Sequence, residues 1–327
     1  MGELVRWSDD ADDVIRGDIT AAAAYLTPAG GAVVTAVAPC GLGQRDAGLL
    51  AFTTSLGFGK KLERIVADPH VALAFHAREH GFSASPAFVL AQGMASVDLQ
   101  PSRARLEALT PQAERYVGKV VRGPVWDRLL REYYGERVVV DISLRRIAAW
   151  PDPSASGDME VTGAAWAGLA DPQPPPGNGT GPRIDVAKAA GRIATLPHRV
   201  LAYRGADGFP VIVPVQIAGH DRTGLRLVAA AGLLPAGGRR AGLLTHAYRP
   251  QLVGLSTRIF TGWLEVSRDG AVYAPHTSKG FVAPPSKTAL LVLNGLLAKY
   301  GLWQARRQGT AERLQRLATE RAARTAG

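Results

Sequence analysis

The sequence predicts a mainly β fold with peripheral helices (α+β), built as two similar small barrels in one chain. Many short apolar runs alternate with only a few helical patterns. A segment rich in Pro, Gly and Ser, residues 151–183, divides the 327 residues into comparable halves. Three short stretches match between the halves: GLLAFTTS (48–55) with GLRLVAAA (224–231), FHARE (75–79) with THAYR (245–249), and QGMASV (92–97) with TGWLEV (261–266).

The elements of the first half follow from these patterns in order. The acidic stretch DDADD favours a helix start, since negative side chains suit a helix N-terminus, and the predicted helix continues through the alanines to residue 26. Apolar runs predict the strands, and polar periodic stretches predict the later helices. The remaining elements are strands over 31–39 and 48–54, a helix over 59–69, strands over 71–77 and 87–99, helices over 102–117 and 125–135, and a strand over 136–150.

The second half begins with a predicted helix over 185–196 and a hairpin over 199–219, in which Asp207 and Gly208 supply the turn. Strands over 224–231, 241–247 and 258–266 follow. The apolar run within 286–303 is too short to span a bilayer and is interpreted as a helix packed on a barrel, with membrane-surface binding as the alternative. The expected divisions are 1–150 (first barrel), 151–183 (linker), 184–285 (second barrel) and 286–327 (basic helical segment).

Composition limits the classes of protein. The acidic N-terminus does not resemble a signal peptide, so we expect a cytoplasmic protein with no membrane partner. Cys40 is the only cysteine, which excludes an intrachain disulfide, and we interpret it as a buried bystander. Much of the net charge of +10 lies from Lys299 to the C-terminus, where seven Lys or Arg residues accompany two Glu residues. Tyr300 and Trp303 are too few for a base-stacking surface, so we expect a solvated helix face rather than nucleic-acid binding.

Hydroxyl and ammonium groups gather where the strand over 48–54 meets the next helix. Phosphate recognition needs short hydroxyl donors, backbone N–H groups at a helix start and a cation. The junction supplies all three in Thr53, Thr54, Ser55, Gly57, Gly59, Lys60 and Lys61. These residues predict an anion site, and a capped surface helix with ordinary lysines is the alternative.

The order of motifs around this junction resembles the pyridoxamine 5′-phosphate oxidase-like, FMN-binding split-barrel superfamily. The motifs are Phe-x-Thr at Phe52 and Thr54, then Gly, Lys-Lys-Leu and Asp-Pro-x-Val-Ala-Leu (68–73). A long strand containing Gly and the late strand ISLRRIAAW complete the pattern over about residues 20–150. GADGFPVIVPV (205–215) resembles the first hairpin of the family and extends the similarity to about residue 267. The resemblance implies two tandem split β-barrels.

The resemblance also implies a cofactor, FMN, with F420 and haem as alternatives. Its phosphate would be held by Thr53, Thr54, Ser55 and Lys60 or Lys61. Four more positions are expected to contact the cofactor: Arg45, His76, Gln92 and Trp150. Members of the family usually form homodimers with the flavin between barrels. The two barrels here are expected to form that pair within one chain as a monomer, or the chain forms a homodimer, with at most one cofactor per chain.

Two departures from the family pattern are visible. Phe58 occupies the position of a phosphate-binding serine, and the hydroxyl residues of the second half are replaced by Ala229, Ala230 and Ala231. Arg239 and Arg240 are interpreted as surface residues of a turn. No metal site is expected, because His76 and His80 in an extended strand would lie about 13 Å apart.

The expected function is a flavin (FMN or F420)-dependent oxidoreductase acting on an unknown small molecule. The alternative is a non-catalytic protein that binds or senses flavin or haem. No catalytic residue is assigned from the sequence.

Overall fold

The computed structural model describes residues 4–326, with side chains up to residue 324. Its first half forms one antiparallel sheet of eight strands, in the order β2-β1-β5-β6-β7-β4-β3, with β8 added beside β7. The strands are β1 (Ala21–Leu26), β2 (Ala32–Val37), β3 (Gly43–Gln44), β4 (Leu49–Thr54), β5 (His70–Phe75), β6 (Phe88–Asp98), β7 (Val138–Trp150) and β8 (Glu160–Gly163).

The second half forms a seven-stranded antiparallel sheet in the order β10-β9-β13-β14-β15-β12-β11. Subtracting eight from each strand number gives the strand order of the first sheet, so the two halves have the same topology. The strands are β9 (His198–Arg204), β10 (Pro210–Pro214), β11 (Gln216–Asp221), β12 (Gly224–Val228), β13 (Gly237–Ala247), β14 (Ser256–Ser267) and β15 (Gly270–Val282). The predicted fold of two tandem split β-barrels and the predicted internal repeat are confirmed.

A glycine bulge recurs at the same place in both barrels. The β6–β7 register shifts between Gln92 and Gly93, and the β14–β15 register shifts between Thr261 and Gly262. A Cβ atom on Gly93 would lie 2.4 Å from the Ser143 carbonyl oxygen, and one on Gly262 would lie 2.2 Å from the Ala274 carbonyl oxygen. Only glycine permits this backbone approach, which explains the shared Gly in QGMASV and TGWLEV.

Seven helices surround the sheets in the part of the chain from residue 4 to 326. They are α1 (Asp9–Gly17), α2 (Gly59–Ala67), α3 (Arg103–Val117), α4 (Pro124–Gly135), α5 (Val186–Ile193), α6 (Lys287–Arg307) and α7 (Thr310–Ala326). Short 3₁₀ turns cover Arg45–Ala47, Leu56–Phe58 and Pro250–Leu252. None of the described helices combines the length and apolar composition needed to cross a bilayer.

The predicted helix over 9–26 is wrong in its second part. Helix α1 begins after Ser8, whose side chain accepts a hydrogen bond from the Ala11 amide, and it ends at Gly17. The following alanines belong to β1, which lies between β2 and β5 and is buried along its whole length. Burial between two strands outweighs the intrinsic helix propensity of alanine. The sequence patterns also gave no strand for β3, β8 or β15, and the predicted hairpin over 199–219 did not separate β11 from β10.

Residues 151–183 are ordered against both barrels. Strand β8 pairs with β7, and the Gln173 amide donates to the Gly238 carbonyl of β13 at 2.8 Å. Gln173 also donates from its side chain to the Gly30 carbonyl at 2.9 Å. This segment therefore holds the two halves together.

The barrels associate through a reciprocal set of strand contacts. Strand β2 packs against β9, β13 and β14, while its counterpart β10 packs against β1, β5 and β6. A Cβ atom on Gly242 of β13 would lie 2.7 Å from the Ala32 carbonyl oxygen of β2, so the absence of a side chain permits this close approach. Apolar residues of both barrels form one continuous core. The two repeats thus pair within the chain about an approximate twofold axis.

The C-terminal helices cover one end of the first barrel. Helix α6 packs against α4 and the turn Leu56–Phe58, and α7 packs against α2. Leu314 of α7 is fully buried in the core of the first barrel. Arg313 forms an ion pair with Glu63, and Arg306 forms one with Glu136. The expectation of a solvated helix face therefore holds for only part of this segment, because one face of α7 completes the barrel core.

Candidate anion-binding site

The strand-to-helix junction separates its three hydroxyl residues. Side chains alternate along β4, so Phe52 and Thr54 point into the barrel and are buried, while Thr53 lies on the opposite face. The Ser55 side chain accepts a hydrogen bond from the Gly57 amide at 3.2 Å and caps the short 3₁₀ turn. Of the predicted hydroxyl donors, Thr53 is the one directed away from the barrel interior.

The two lysines of the junction also diverge. Lys60 is exposed in a cleft of about 550 Å³ between the start of α2 and helices α6 and α7. Lys61 is half-buried, and its ammonium lies 5.5 Å from the centre of the Phe52 ring and 5.2 Å from that of Phe58. The Phe58 that replaces the expected serine therefore contacts Lys61 through a cation–π interaction.

Arg137, which the sequence patterns did not indicate, completes the junction. It directly precedes β7, whose first residue, Val138, pairs with Thr54 of β4. The Arg137 guanidinium donates to the Thr53 hydroxyl at 2.8 Å and lies over the Tyr133 ring. Only the β4–β7 register brings Arg137 beside Thr53, and that register could not be read from the sequence.

Lys61 and Arg137 form a pair of cations without a carboxylate. Neither takes part in any of the ion pairs found between residues 4 and 326. Burial, together with the positive charge of Arg137, lowers the pKa of Lys61 to about 7. Thr53, Lys61 and Arg137 therefore form a positively charged site, called here the junction site.

An apolar cluster adjoins the junction site. Ala51 lies two residues before Thr53 on the same face of β4 and packs against this cluster. The cluster lies between the first barrel, α3 and the segment of the second barrel after β13, and we call it the interbarrel cluster. Its buried members are Ile19, Cys40, Leu42, Ala77, Tyr116 and Tyr248. Burial raises the pKa of the Cys40 thiol to about 11, which fits its interpretation as a bystander.

Two histidines in corresponding positions of the barrels meet beside the interbarrel cluster. His76 follows β5 and His246 lies near the end of β13, and their Nε2 atoms are 2.8 Å apart. The His246 ring stacks on Tyr248, and His198 contacts Glu79. Burial lowers the pKa of His76 to about 3 and also lowers the pKa values of His198 and His246. Among residues 4–326, no three His, Cys, Asp or Glu side chains are arranged to hold a metal ion.

Gln92 is engaged in the contact between the barrels. Its amide donates to the Pro210 carbonyl at 2.6 Å, and its oxygen accepts from Arg146 at 2.6 Å. Arg146 also forms an ion pair with Asp207 in the hairpin of the second barrel. Gln92 is fully buried, and both ends of its amide have protein partners.

Arg45 and Trp150 also have structural partners. Arg45 donates to the Trp7 carbonyl at 2.7 Å and pairs with Asp9, which holds the N-terminal segment against the barrel. Trp150 is buried in the core shared by the barrels, beside Phe88 and Trp166. Of the residues proposed from the sequence, Thr53 and Lys61 belong to the junction site, each through Arg137, which donates to the Thr53 hydroxyl and whose charge acts on Lys61. His76 contacts His246 instead.

The second barrel has no equivalent of the junction site. Its Ala229, Ala230 and Ala231 carry no hydroxyls. The interpretation of Arg239 as a surface residue is wrong, since it is 1% exposed and lies within β13. Its guanidinium donates to four carbonyls, those of Ala170, Asp171, Pro235 and Ala236. Arg239 thus holds residues 170–171 and the turn before β13 in place, and its guanidinium is not available to an anion.

Neither a scan of protein-family models nor a search of curated proteins gave a match to this chain. Solved structures do match. An F420 reductase is 17% identical, with 42% of this chain and 94% of that chain covered and a TM-score of 0.31. An FMN-binding protein related to pyridoxamine 5′-phosphate oxidase, from Nostoc punctiforme, is 8% identical over 61% of this chain and 87% of that chain, with a TM-score of 0.28.

A haem-binding protein from Mycobacterium smegmatis is 16% identical, with 91% of this chain and 99% of that chain covered and a TM-score of 0.32. The chain described here consists of two split β-barrels of the same strand topology.

Proposed function

We propose that this protein binds a phosphorylated flavin-type cofactor, FMN or F420, with the cofactor phosphate in the junction site. The observation that carries the proposal is that Arg137, which donates to the Thr53 hydroxyl, and Lys61, on which the Arg137 charge acts, both lack a carboxylate partner among the described ion pairs. Other arginines of the barrels, such as Arg78 and Arg146, are paired with aspartates. A hydroxyl with two neighbouring unbalanced cations suits a phosphate.

The chemistry of these donors fits a phosphate group. An Arg guanidinium offers two parallel N–H donors, a Lys ammonium adds a point charge, and Thr53 adds a hydroxyl. A bound phosphate would offset the repulsion between Lys61 and Arg137, which contributes to the lowered pKa of Lys61. The Lys61 proton is therefore retained more strongly when an anion is bound.

The rest of the cofactor would contact the interbarrel cluster. This cluster begins at Ala51, on the same face of β4 as Thr53, and contains the buried rings of Tyr116 and Tyr248 among aliphatic side chains. Apolar and aromatic surfaces next to a few polar groups are typical of cofactor sites. In this proposal, the flavin would supply the electron transfer, while Thr53, Lys61 and Arg137 would hold and orient it.

Haem fits these residues less well. His76 and His246 use their Nε2 atoms in a contact with each other. His246 is fully buried, so neither of its nitrogens can reach a haem iron without separation of the barrels. The junction site therefore favours a phosphate-bearing cofactor over haem.

Titration of the purified protein with FMN, F420 and haemin, followed by absorbance and flavin fluorescence, tests this proposal. We expect Lys61→Ala and Arg137→Ala each to weaken FMN or F420 binding by roughly ten- to a hundredfold, because each removes a charge-assisted hydrogen bond. Lys60→Ala is the matched control and should bind as the unchanged protein does. Riboflavin, which has no phosphate, should bind equally to all variants.

Two outcomes would contradict the proposal. One is binding of neither FMN nor F420 by the unchanged protein, and the other is equal FMN affinity in the unchanged protein and Lys61→Ala.

A separate measurement distinguishes an oxidoreductase from a non-catalytic flavin carrier. In this measurement, protein loaded with the cofactor is mixed with NADPH or dithionite and then with electron acceptors. An enzyme is expected to turn over repeatedly, and a carrier is expected to react once with each acceptor.

A further inference from the structure

Helix α6 is attached to the first barrel by one of its faces. Leu302 and Ala305 are buried. Gly295 lies against Leu129 of α4, and Gly301 lies against Gly57, where added Cβ atoms would meet neighbouring atoms at 2.8 and 3.2 Å. These close contacts fix the rotation of α6 about its own axis, so its opposite face is permanently directed outward.

That outward face carries an unusual set of large apolar side chains. Val292, Leu296, Tyr300 and Trp303 follow one another at intervals of four, four and three residues, which places them in one row along the helix. Their exposed fractions are 37%, 54%, 61% and 54%, and the neighbouring Leu297 is 46% exposed. This apolar row is about 17 Å long at the helical rise per residue. Single exposed apolar residues are ordinary, but a continuous row marks a contact surface.

The charged residues of helix α6 itself are all positive. Helix α6 contains no Asp or Glu, and its cations are Lys287, Lys299, Arg306 and Arg307. Lys299 and Arg306 lie next to Glu132 and Glu136 of α4. Arg307 has no carboxylate partner among the described ion pairs and lies 5.5 Å from the centre of the Trp303 ring. An apolar row ending in Tyr, Trp and an unbalanced Arg suits a negatively charged, partly apolar surface.

We propose that the apolar row binds the surface of an anionic lipid bilayer, with α6 lying parallel to the membrane plane. Amphipathic helices with aromatic and basic residues bury their apolar face at the boundary between headgroups and acyl chains. Tyr and Trp are enriched at that boundary, and Arg307 would meet the lipid phosphates. The net charge of +10 adds long-range attraction to an anionic surface.

A second copy of the chain is a poorer occupant of the same surface. Two copies meeting along α6 would bring two positively charged faces without acidic residues together. The sequence alone predicted no membrane partner, because it does not reveal which face of α6 the barrel covers.

Co-sedimentation with vesicles tests this inference on the full-length protein. The vesicles contain equal parts of phosphatidylcholine and phosphatidylglycerol, or phosphatidylcholine only. We expect sedimentation with the anionic vesicles that decreases as salt is added. The combined substitutions Leu296→Ser, Tyr300→Ser and Trp303→Ser should reduce partitioning by at least tenfold, and Arg307→Gln should reduce it roughly fivefold. Val228→Ser, at a residue of β12 that is 52% exposed, is the control and should not change it.

Because the substituted residues are exposed, the variants are expected to fold, and circular dichroism with thermal melting verifies this. Three outcomes overturn the inference. They are no sedimentation of the unchanged protein with anionic vesicles, undiminished sedimentation of the triple variant, and a dimer in light scattering that the triple variant converts to a monomer. A blue shift of tryptophan emission on adding anionic vesicles, lost in Trp303→Phe, would support insertion of the Trp303 ring.

Discussion

At the scale of single residues, partners distinguish structural cations from those available to a ligand. Arg105 pairs with Asp98 and Asp141 at 2.7 and 2.6 Å, and Arg239 is held by carbonyl groups. Lys61 and Arg137 form no ion pair among the described residues. Arg137 donates to the Thr53 hydroxyl, and each of the two cations lies over an aromatic ring. Two cations held together without an anion raise the free energy of the folded state, and a bound anion would lower it.

The lowered pKa of Lys61 gives anion binding a defined pH dependence. With a pKa of about 7, Lys61 loses its proton as the pH rises above neutral. An anion binds the protonated form better, so the affinity for FMN or F420 should fall up to tenfold per pH unit above about pH 7. Fluorescence titrations between pH 6 and pH 9 measure this. Lys61→Arg keeps its charge over that range and should bind with little pH dependence.

The glycine bulges provide a second prediction at this scale. An added methyl group at Gly93 would lie 2.4 Å from a backbone oxygen, which cannot move without disrupting the β6–β7 ladder. Gly93→Ala should therefore lower the free energy of unfolding by roughly 1 to 3 kcal/mol. Gly191→Ala is the control, because Gly191 lies in α5 with nothing within 4 Å of an added Cβ. It should stabilise the protein slightly through helix propensity. Equal urea midpoints for the two variants would contradict this account.

At the scale of elements, α7 is an integral part of the first barrel although it follows the second barrel in sequence. Leu314 lies in the same core as Leu62, Ile65 and Phe75. The Arg313–Glu63 ion pair and the Arg321 hydrogen bond to the Val66 carbonyl attach the outer parts of the helix to α2. Helix α7 therefore completes the core of the first barrel.

Leu314→Ala is expected to cost about 2 to 5 kcal/mol, because it leaves a cavity in a core with no other residue to fill it. Urea denaturation followed by circular dichroism measures the change. Leu169→Ala, at a residue that is 54% exposed, is the matched control and should stay within about 0.5 kcal/mol of the unchanged protein. A loss at Leu314 no larger than at Leu169 would show that α7 does not contribute to the core.

At the scale of the whole molecule, the approximate twofold axis brings identical residue types together. His76 and His246 correspond in the two repeats and contact each other, so they lie close to the axis that relates the barrels. His198 lies beside them, with ring centres 6.2 Å from His76 and 5.0 Å from His246. Burial favours the neutral form of all three rings, because it removes the charged form from water. A positive charge on one ring would also repel a positive charge on a neighbouring ring.

This histidine group should make the pairing of the barrels sensitive to acid. In the unfolded chain these residues gain protons near their ordinary pKa of about 6.5, but folded His76 does so only near 3. Stability is therefore complete above about pH 6.5 and falls as the pH decreases, by up to about 1.4 kcal/mol per pH unit for each histidine that stays neutral.

Urea midpoints measured from pH 8 to pH 4 test this prediction. His246→Asn should reduce the slope below pH 6.5, because it removes one of the three groups. His220→Gln, at an exposed residue of β11, should leave the slope unchanged. A stability that is constant from pH 8 to pH 4 would contradict the assignment of neutral, buried histidines.

The sequence by itself determined the features that repeat or depend on local order. Strand-like runs, the three matched stretches and the Phe-x-Thr and Lys-Lys motifs were sufficient to predict two tandem split barrels. They also predicted an anion site at the β4–α2 junction. These properties follow from side-chain periodicity and chain direction, which are local.

Only the tertiary structure decided which side chains meet. Strand register placed Thr53, rather than Thr54, beside Arg137. Packing placed Lys61 over the Phe52 ring and left Lys60 exposed. The pairing of barrels used Gln92 and Arg146 as structural residues. Pairing with β2 and β5 placed the alanines after α1 in a buried strand, and contacts with α4 and Gly57 turned the apolar row of α6 outward. These outcomes depend on contacts between residues far apart in the chain, which local patterns do not specify.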